Sequence, residues 1–208
     1  MGFGKSLGIG LVIFIVLNFV MNLLLVLAGG VTIMGVPIEI GDWFGSIGDA
    51  PFGFLANLFC FQGGLDLGII DSSLTGLTIG GLLPPSISLL LGLAGGAMMF
   101  STDVFIAIVS ILGVLLPLLI TAIVCGKLAD SPGQGYGSFL LVNLISAAIL
   151  VVFFIIDYTQ LGGHVAIFSL IAMMDPSMVM IAYIGIPVFG LFNGMFWGGI
   201  SAVLGKEI

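Results

Sequence analysis

Four stretches of this chain run for about twenty residues without one charged side chain. They are Leu7–Ala28, Val104–Cys125, Ser138–Ile156 and Met178–Leu204. A helix needs ~20 apolar residues to cross the hydrocarbon core of a bilayer. Only helices and closed barrels satisfy their own backbone hydrogen bonds there. The expected fold is therefore all-α, a polytopic transmembrane helical bundle forming one integral membrane domain over residues 1–208. Composition agrees, with 60% hydrophobic and 6% charged residues. A typical soluble domain has roughly half and a quarter, and so few charges cannot cover a soluble surface. Nucleic-acid binding needs a basic field, whereas this chain carries three lysines, no arginine and a net charge of −7. The expected location is the cell membrane, as a multi-pass protein with the lipid bilayer as first partner.

The first run could be mistaken for a signal peptide, with Lys5 as its basic start and Val26-Leu27-Ala28 as its cleavage site. Its apolar stretch exceeds the ~7–15 residues of such a segment, so a retained transmembrane helix is expected. Met1, Gly2 and Ser6 fit the loose myristoylation pattern. A single acyl chain adds little to a protein that already spans the bilayer. Cys60 and Cys125 are too few for a disulfide framework. Both are expected to be unpaired, as small hydrophobes.

Lys5, Lys127 and Lys206 set the orientation, because basic residues favour the cytoplasmic side. All three fit inside if both termini are cytoplasmic, and the crossings are then even in number, six being favoured. Residues 126–137 become a cytoplasmic loop rich in turn residues. Residues 157–177 become an outer loop. The outer segment 29–78 is rich in glycine and aromatics, which suit the headgroup zone. A short interfacial or re-entrant helix is expected at Pro51–Phe61, with Asp49 as cap and Pro51 in the first turn. Ile79–Phe100 is broken by Pro84-Pro85 and is expected to cross or to form a re-entrant hairpin. Leu23–Gly30 is echoed at Leu89–Gly96, a short internal similarity.

Small residues recur every four positions in the last helix, at Gly190, Gly194, Gly198 and Ala202, and again at Gly92 and Gly96. Such spacing lets another helix approach closely. It serves either packing inside the bundle or docking of a partner subunit. Asn18, Asn22, Asn143 and Asn193 fall at membrane depth, as a polar path or as interhelical hydrogen bonds. Asp66, Asp71, Asp103, Asp157 and Asp175 form an acidic outer face that could attract cations, and Asp103 also suits a helix N-cap. Ion and proton pathways are marked by ionisable groups inside spanning segments, and none lies near the centre of these four runs. His164 stands without neighbouring ligands at metal-binding spacing. No G-x-S-x-G nucleophile motif is present. These features lead to an expectation of no catalysis, no metal and no cofactor. The function they favour is that of a non-catalytic subunit packed in a larger membrane assembly, with other subunits or further copies as partners. The alternative is a small transport protein, a solute-binding component or a cation-conducting pore.

Overall fold

The computed structural model describes residues 2–29, 32–33, 36–37, 39–49, 51–59, 104–160 and 176–205. Its elements are α1 (Gly2–Leu27), β1 (Thr32–Ile33), β2 (Val36–Pro37), α2 (Ile40–Asp49), α3 (Pro51–Ala56), α4 (Val104–Leu128), α5 (Pro132–Gln160) and α6 (Pro176–Leu204). The expected all-α class holds apart from the two-residue antiparallel β1–β2 ladder, which pairs Thr32 with Pro37 and Ile33 with Val36. Among the described residues, three helical stretches are long and apolar enough to cross a membrane: Gly2–Leu27, Pro132–Phe153 and Ile186–Leu204. In α4 the shorter stretch Leu112–Leu128 is apolar. The readings of Ile79–Phe100, the Leu89–Gly96 echo, His164, Cys60 and Lys206 lie outside the described residues.

Local chemistry sets the helix ends. The first turn of α1 leaves backbone N–H groups without intrahelical acceptors. Asp130, from the turn between α4 and α5, accepts the Gly2 N–H at 2.7 Å. The helix therefore begins at Gly2, ahead of the apolar run. It ends where Gly29 takes a φ of 71°, the left-handed conformation that glycine adopts without strain at a helix C-terminus.

The expected loop over residues 126–137 is corrected by the structure, which leaves only residues 129–131 between α4 and α5. Ser131 caps α5 by accepting the Gln134 N–H on Oγ at 3.4 Å, and Gln134 Oε1 accepts the Asp130 N–H at 3.3 Å. This is a variant of the capping box, followed by proline at the first helical position. The glycines of Gly133-Gln134-Gly135-Tyr136-Gly137 read as loop chemistry by composition. Two of them are instead close-approach points, Gly135 against Ser201 and Gly137 against Phe3. Of the expected outer loop 157–177, residues 157–160 belong to α5 and residues 176–177 to α6, and the remainder lies outside the described residues.

The four long helices alternate in direction. Ser6 of α1 meets Ser138 of α5 and the Cys125 carbonyl of α4. The start of α1, the end of α4 and the start of α5 therefore share one end of the bundle. Gly205, just past α6, packs on Pro132 at that same end. Lys5 and Lys127 are exposed there. The core between the helices is a cluster of Phe14, Leu118, Ala122, Cys125, Phe139, Val142 and Trp197.

At the other end, α2 and α3 fold back along the bundle. Trp43 stacks on Phe19 with ring centroids 5.7 Å apart, and Phe52 and Phe59 meet Phe153 at 5.8 and 5.9 Å. The expected short helix is Pro51–Ala56, followed by a turn. Asp49 is the last residue of α2 and does not stand between helices as a cap. α2 itself was not foreseen. It turns Trp43 inward and exposes Ile40, Phe44 and Ile47, at spacings that share one helical face.

Candidate functional site: a buried polar seam and an open glycine face

Two surfaces could carry function: the seam between the helices and the outward helical faces. The seam holds Ser6, Asn18, Asn22, Asn57, Thr121, Ser138, Asn143, Ser146, Asn193 and Ser201, all buried. Near the end where α1 and α5 begin, Ser6 Oγ donates to the Cys125 carbonyl at 2.7 Å and lies 2.7 Å from Ser138 Oγ. Ser201 Oγ donates to the Gly135 carbonyl at 2.9 Å, joining α6 to α5. Cys125 is free and buried, as expected, with its thiol directed at the Ser6 carbonyl.

Deeper in the bundle the pattern changes. Asn18 donates to the Phe14 carbonyl at 2.9 Å, Asn143 to Phe139 at 3.2 Å and Ser146 to Val142 at 2.8 Å. Each is a bond back to the preceding turn of its own helix. Interhelical bonding is therefore not what these particular donors do. Asn22 does reach another element, donating to the Asn57 carbonyl at 2.9 Å. It lies five residues from the end of α1, or roughly 7.5 Å of helix. That depth places the turn after α3 well below the end of α1.

Register sets the level of the middle residues. On the antiparallel α5–α6 pair, Gly190 faces Ala147, Gly194 faces Leu140 and Gly198 faces Tyr136. The same register sets Asn193 about two residues, or roughly 3 Å, from the level of Asn143, and Trp197 as far from that of Phe139. On the α1 side, Gly10 faces Cys125, Val142 and Thr121. Thr121 and Asn143 therefore lie near one level of the bundle, whereas Trp197 lies more than one turn away, towards the start of α5.

The glycine stripe of α6 is accounted for by this packing. A methyl group at Gly190 would sit 2.8 Å from Ala147 Cβ, and one at Gly194 only 2.6 Å from Leu140 Cδ1. The face of Gly190, Gly194 and Gly198 is filled by α5 of the same chain, so it offers no surface to a partner. Ala202 is half-buried beside it. Gly92 and Gly96 lie outside the described residues.

A second glycine pair was overlooked at the sequence level. Gly4 and Gly8 of α1 have open space where a side chain would stand. Val12, Val16 and Val20 continue the same four-residue spacing and are exposed. The signal was present as Gly4-x-x-x-Gly8 followed by valine every fourth residue. It was hidden beside Gly2, Ser6 and Gly10, which face inward on the same helix.

Of the acidic outer face, Asp66, Asp71, Asp103 and Asp175 lie outside the described residues. Asp157 falls in the last turn of α5, at the end of the bundle where α2 and α3 pack. Glu39 and Asp42 are exposed at that same end. Among the described residues, no three His, Cys, Asp or Glu side chains gather as a metal site. No family model matches this chain, and no curated protein or solved structure matches it.

Proposed function

We propose that this protein is a non-catalytic, multi-pass integral membrane subunit whose α1 outer face docks a transmembrane helix of a larger assembly. In this reading α1, α4, α5 and α6 all span the cell membrane, with both termini on the cytoplasmic side. Six crossings result if residues 60–103 contribute a further pair. The joint placement of exposed Lys5 and Lys127 supports that orientation.

The observation that carries the reading is the open Gly4–Gly8 pair in line with exposed Val12, Val16 and Val20. Within the bundle, glycines mark the points where helices touch, as at Gly10 and Gly194. Lipid gains nothing from a missing side chain, whereas a facing helix gains close van der Waals contact. The β-branched valines add a stiff surface that loses little rotamer freedom on docking.

The test is extraction of the chain from its native membrane in mild detergent, followed by native mass measurement. A complex heavier than the 21.5 kDa chain is expected, and Gly4→Leu with Gly8→Leu should release the chain from it. A folded lone monomer, or a complex indifferent to both substitutions, refutes the proposal.

A further inference from the structure

We infer that α2 is a lipid-surface helix. Its face of Ile40, Phe44 and Ile47 seats in the acyl boundary of a zwitterionic leaflet, while Asp42 on the opposite face stays in water. The inference rests on the reading that the long helices span a bilayer. It is independent of the docking role proposed for α1.

The ten residues of α2 divide into four sides. At about 100° per residue, Ile40, Phe44 and Ile47 lie within about 60° of one another. All three are exposed. Asp42 lies on the opposite side, roughly 190° from their centre, and is exposed as well. Trp43 and Ser46 lie between these two faces, on the side turned to the bundle. Trp43 is buried there and stacks on Phe19 of α1. Gly41 and Gly48 form the remaining side, with open space around them. The apolar face and the acidic face thus both stand at about right angles to the bundle contact.

An apolar face and an acidic face set back to back are both satisfied only where hydrocarbon borders water. Water on all sides leaves Ile40, Phe44 and Ile47 without apolar contact. Hydrocarbon on all sides excludes Asp42, because a carboxylate inside a bilayer is costly. The neighbouring helices continue the apolar surface. Val20 follows Phe19 in α1, Val152 precedes Phe153 in α5, and both valines are exposed. Phe19 touches α2 through Trp43, and Phe153 touches α3 through Phe59. The α2 face is therefore continuous with helix sides suited to lipid. Charge then selects the lipid. Glu39 and Asp42 are both exposed, and the described cations Lys5 and Lys127 lie at the other end of the bundle. Anionic headgroups draw basic segments and repel an acidic one, so a neutral, zwitterionic headgroup fits this end.

The test places nitroxide labels singly by Ile40→Cys, Phe44→Cys, Ile47→Cys, Asp42→Cys and Ala148→Cys, the last at an exposed position well inside α5. The background is the full chain with Cys60→Ser, its Cys125 being buried. In phosphatidylcholine vesicles, electron paramagnetic resonance reads collisions of each label with oxygen and with a neutral nickel chelate. Oxygen collisions should outweigh nickel collisions at Ile40, Phe44 and Ile47, and the order should reverse at Asp42. Exchanging phosphatidylcholine for phosphatidylglycerol should lower the oxygen-to-nickel ratio at Ile47, and Glu39→Gln with Asp42→Asn should restore it. Equal ratios at all four α2 positions overturn the inference, because the helix then lies wholly in water or wholly in hydrocarbon. Low access of both reagents to the apolar face also overturns it, because protein then covers that face. A ratio indifferent to phosphatidylglycerol overturns the choice of a zwitterionic leaflet. Ala148 separates the two readings. Oxygen access there with nickel access at Ile40, Phe44 and Ile47 refutes the α2 site alone, whereas nickel access at Ala148 refutes the spanning helices as well. If Phe44→Cys fails to fold, Ile47→Cys decides, since Ile47 is the most exposed of the three at 48%.

Discussion

Gly135 offers a direct test of how α5 and α6 are held together. A methyl group in place of its hydrogen would lie 2.8 Å from the Ser201 carbonyl oxygen and 3.3 Å from Ser201 Oγ. Unstrained contacts of this kind lie near 3.5 Å, so the helices must part by roughly 0.7 Å. The obstacle is backbone, which cannot rotate aside as a side chain would. Overpacking of this kind costs about 1–3 kcal/mol. Alanine also favours the helix over glycine by roughly 0.5–1 kcal/mol, which offsets part of the loss. Gly133 supplies the control, because it lies in the same turn with nothing within 4 Å of its would-be side chain. Gly133→Ala should therefore be neutral or slightly stabilising. The difference between the two variants cancels the helix-propensity gain and isolates the contact, at about 1–3 kcal/mol. Reversible unfolding in mixed micelles, followed by far-ultraviolet circular dichroism, measures both. If Gly135→Ala is as stable as Gly133→Ala, the close approach of α5 to α6 at Ser201 is wrong.

Two further outcomes follow from the same end of the bundle. Ser131→Ala should destabilise the protein by about 1 kcal/mol through loss of the α5 cap, whereas Ser131→Gly should cost only a few tenths; the same unfolding experiment reads both. Ser6→Ala and Ser138→Ala should be less than additive, because each single change leaves its partner buried without that bond. A double-mutant cycle should give a coupling of about 0.6 kcal/mol, the average for such pairs in membrane helices, and strict additivity would mean that the two hydroxyls do not interact.

How much of the site was legible in the sequence varied with the residue. The burial of Asn18, Asn22, Asn143 and Asn193 was legible, because polar residues inside an apolar run turn towards neighbouring helices. What their amides bond to was not, because Asn18 and Asn143 turn back to their own helices while Asn22 reaches α3. The stripe at Gly190, Gly194 and Gly198 was legible as a contact face, but its occupant was not. Small-residue spacing is the same whether the facing helix belongs to this chain or to another. Gly4 and Gly8 were missed for a related reason. On α1, inward and outward small residues alternate, and only packing separates them.

Composition and apolar run length alone determined that the chain is built of long helices suited to a bilayer. That conclusion needs no contact, because hydrocarbon leaves an unpaired backbone almost no alternative to a helix. Lysine positions likewise predicted which helix ends lie together, since charge is repelled from the core wherever the helices pack. Tertiary structure decided the rest: the turn of residues 129–131, the return of α2 and α3 along α1 and α5, and the division of glycines into filled and open faces. Each of these depends on which backbone comes within a few ångströms of which. Van der Waals contact and hydrogen bonds act only at that range, and the partners lie far apart in the chain, by 35 residues for Asn22 and Asn57 and by 132 for Ser6 and Ser138.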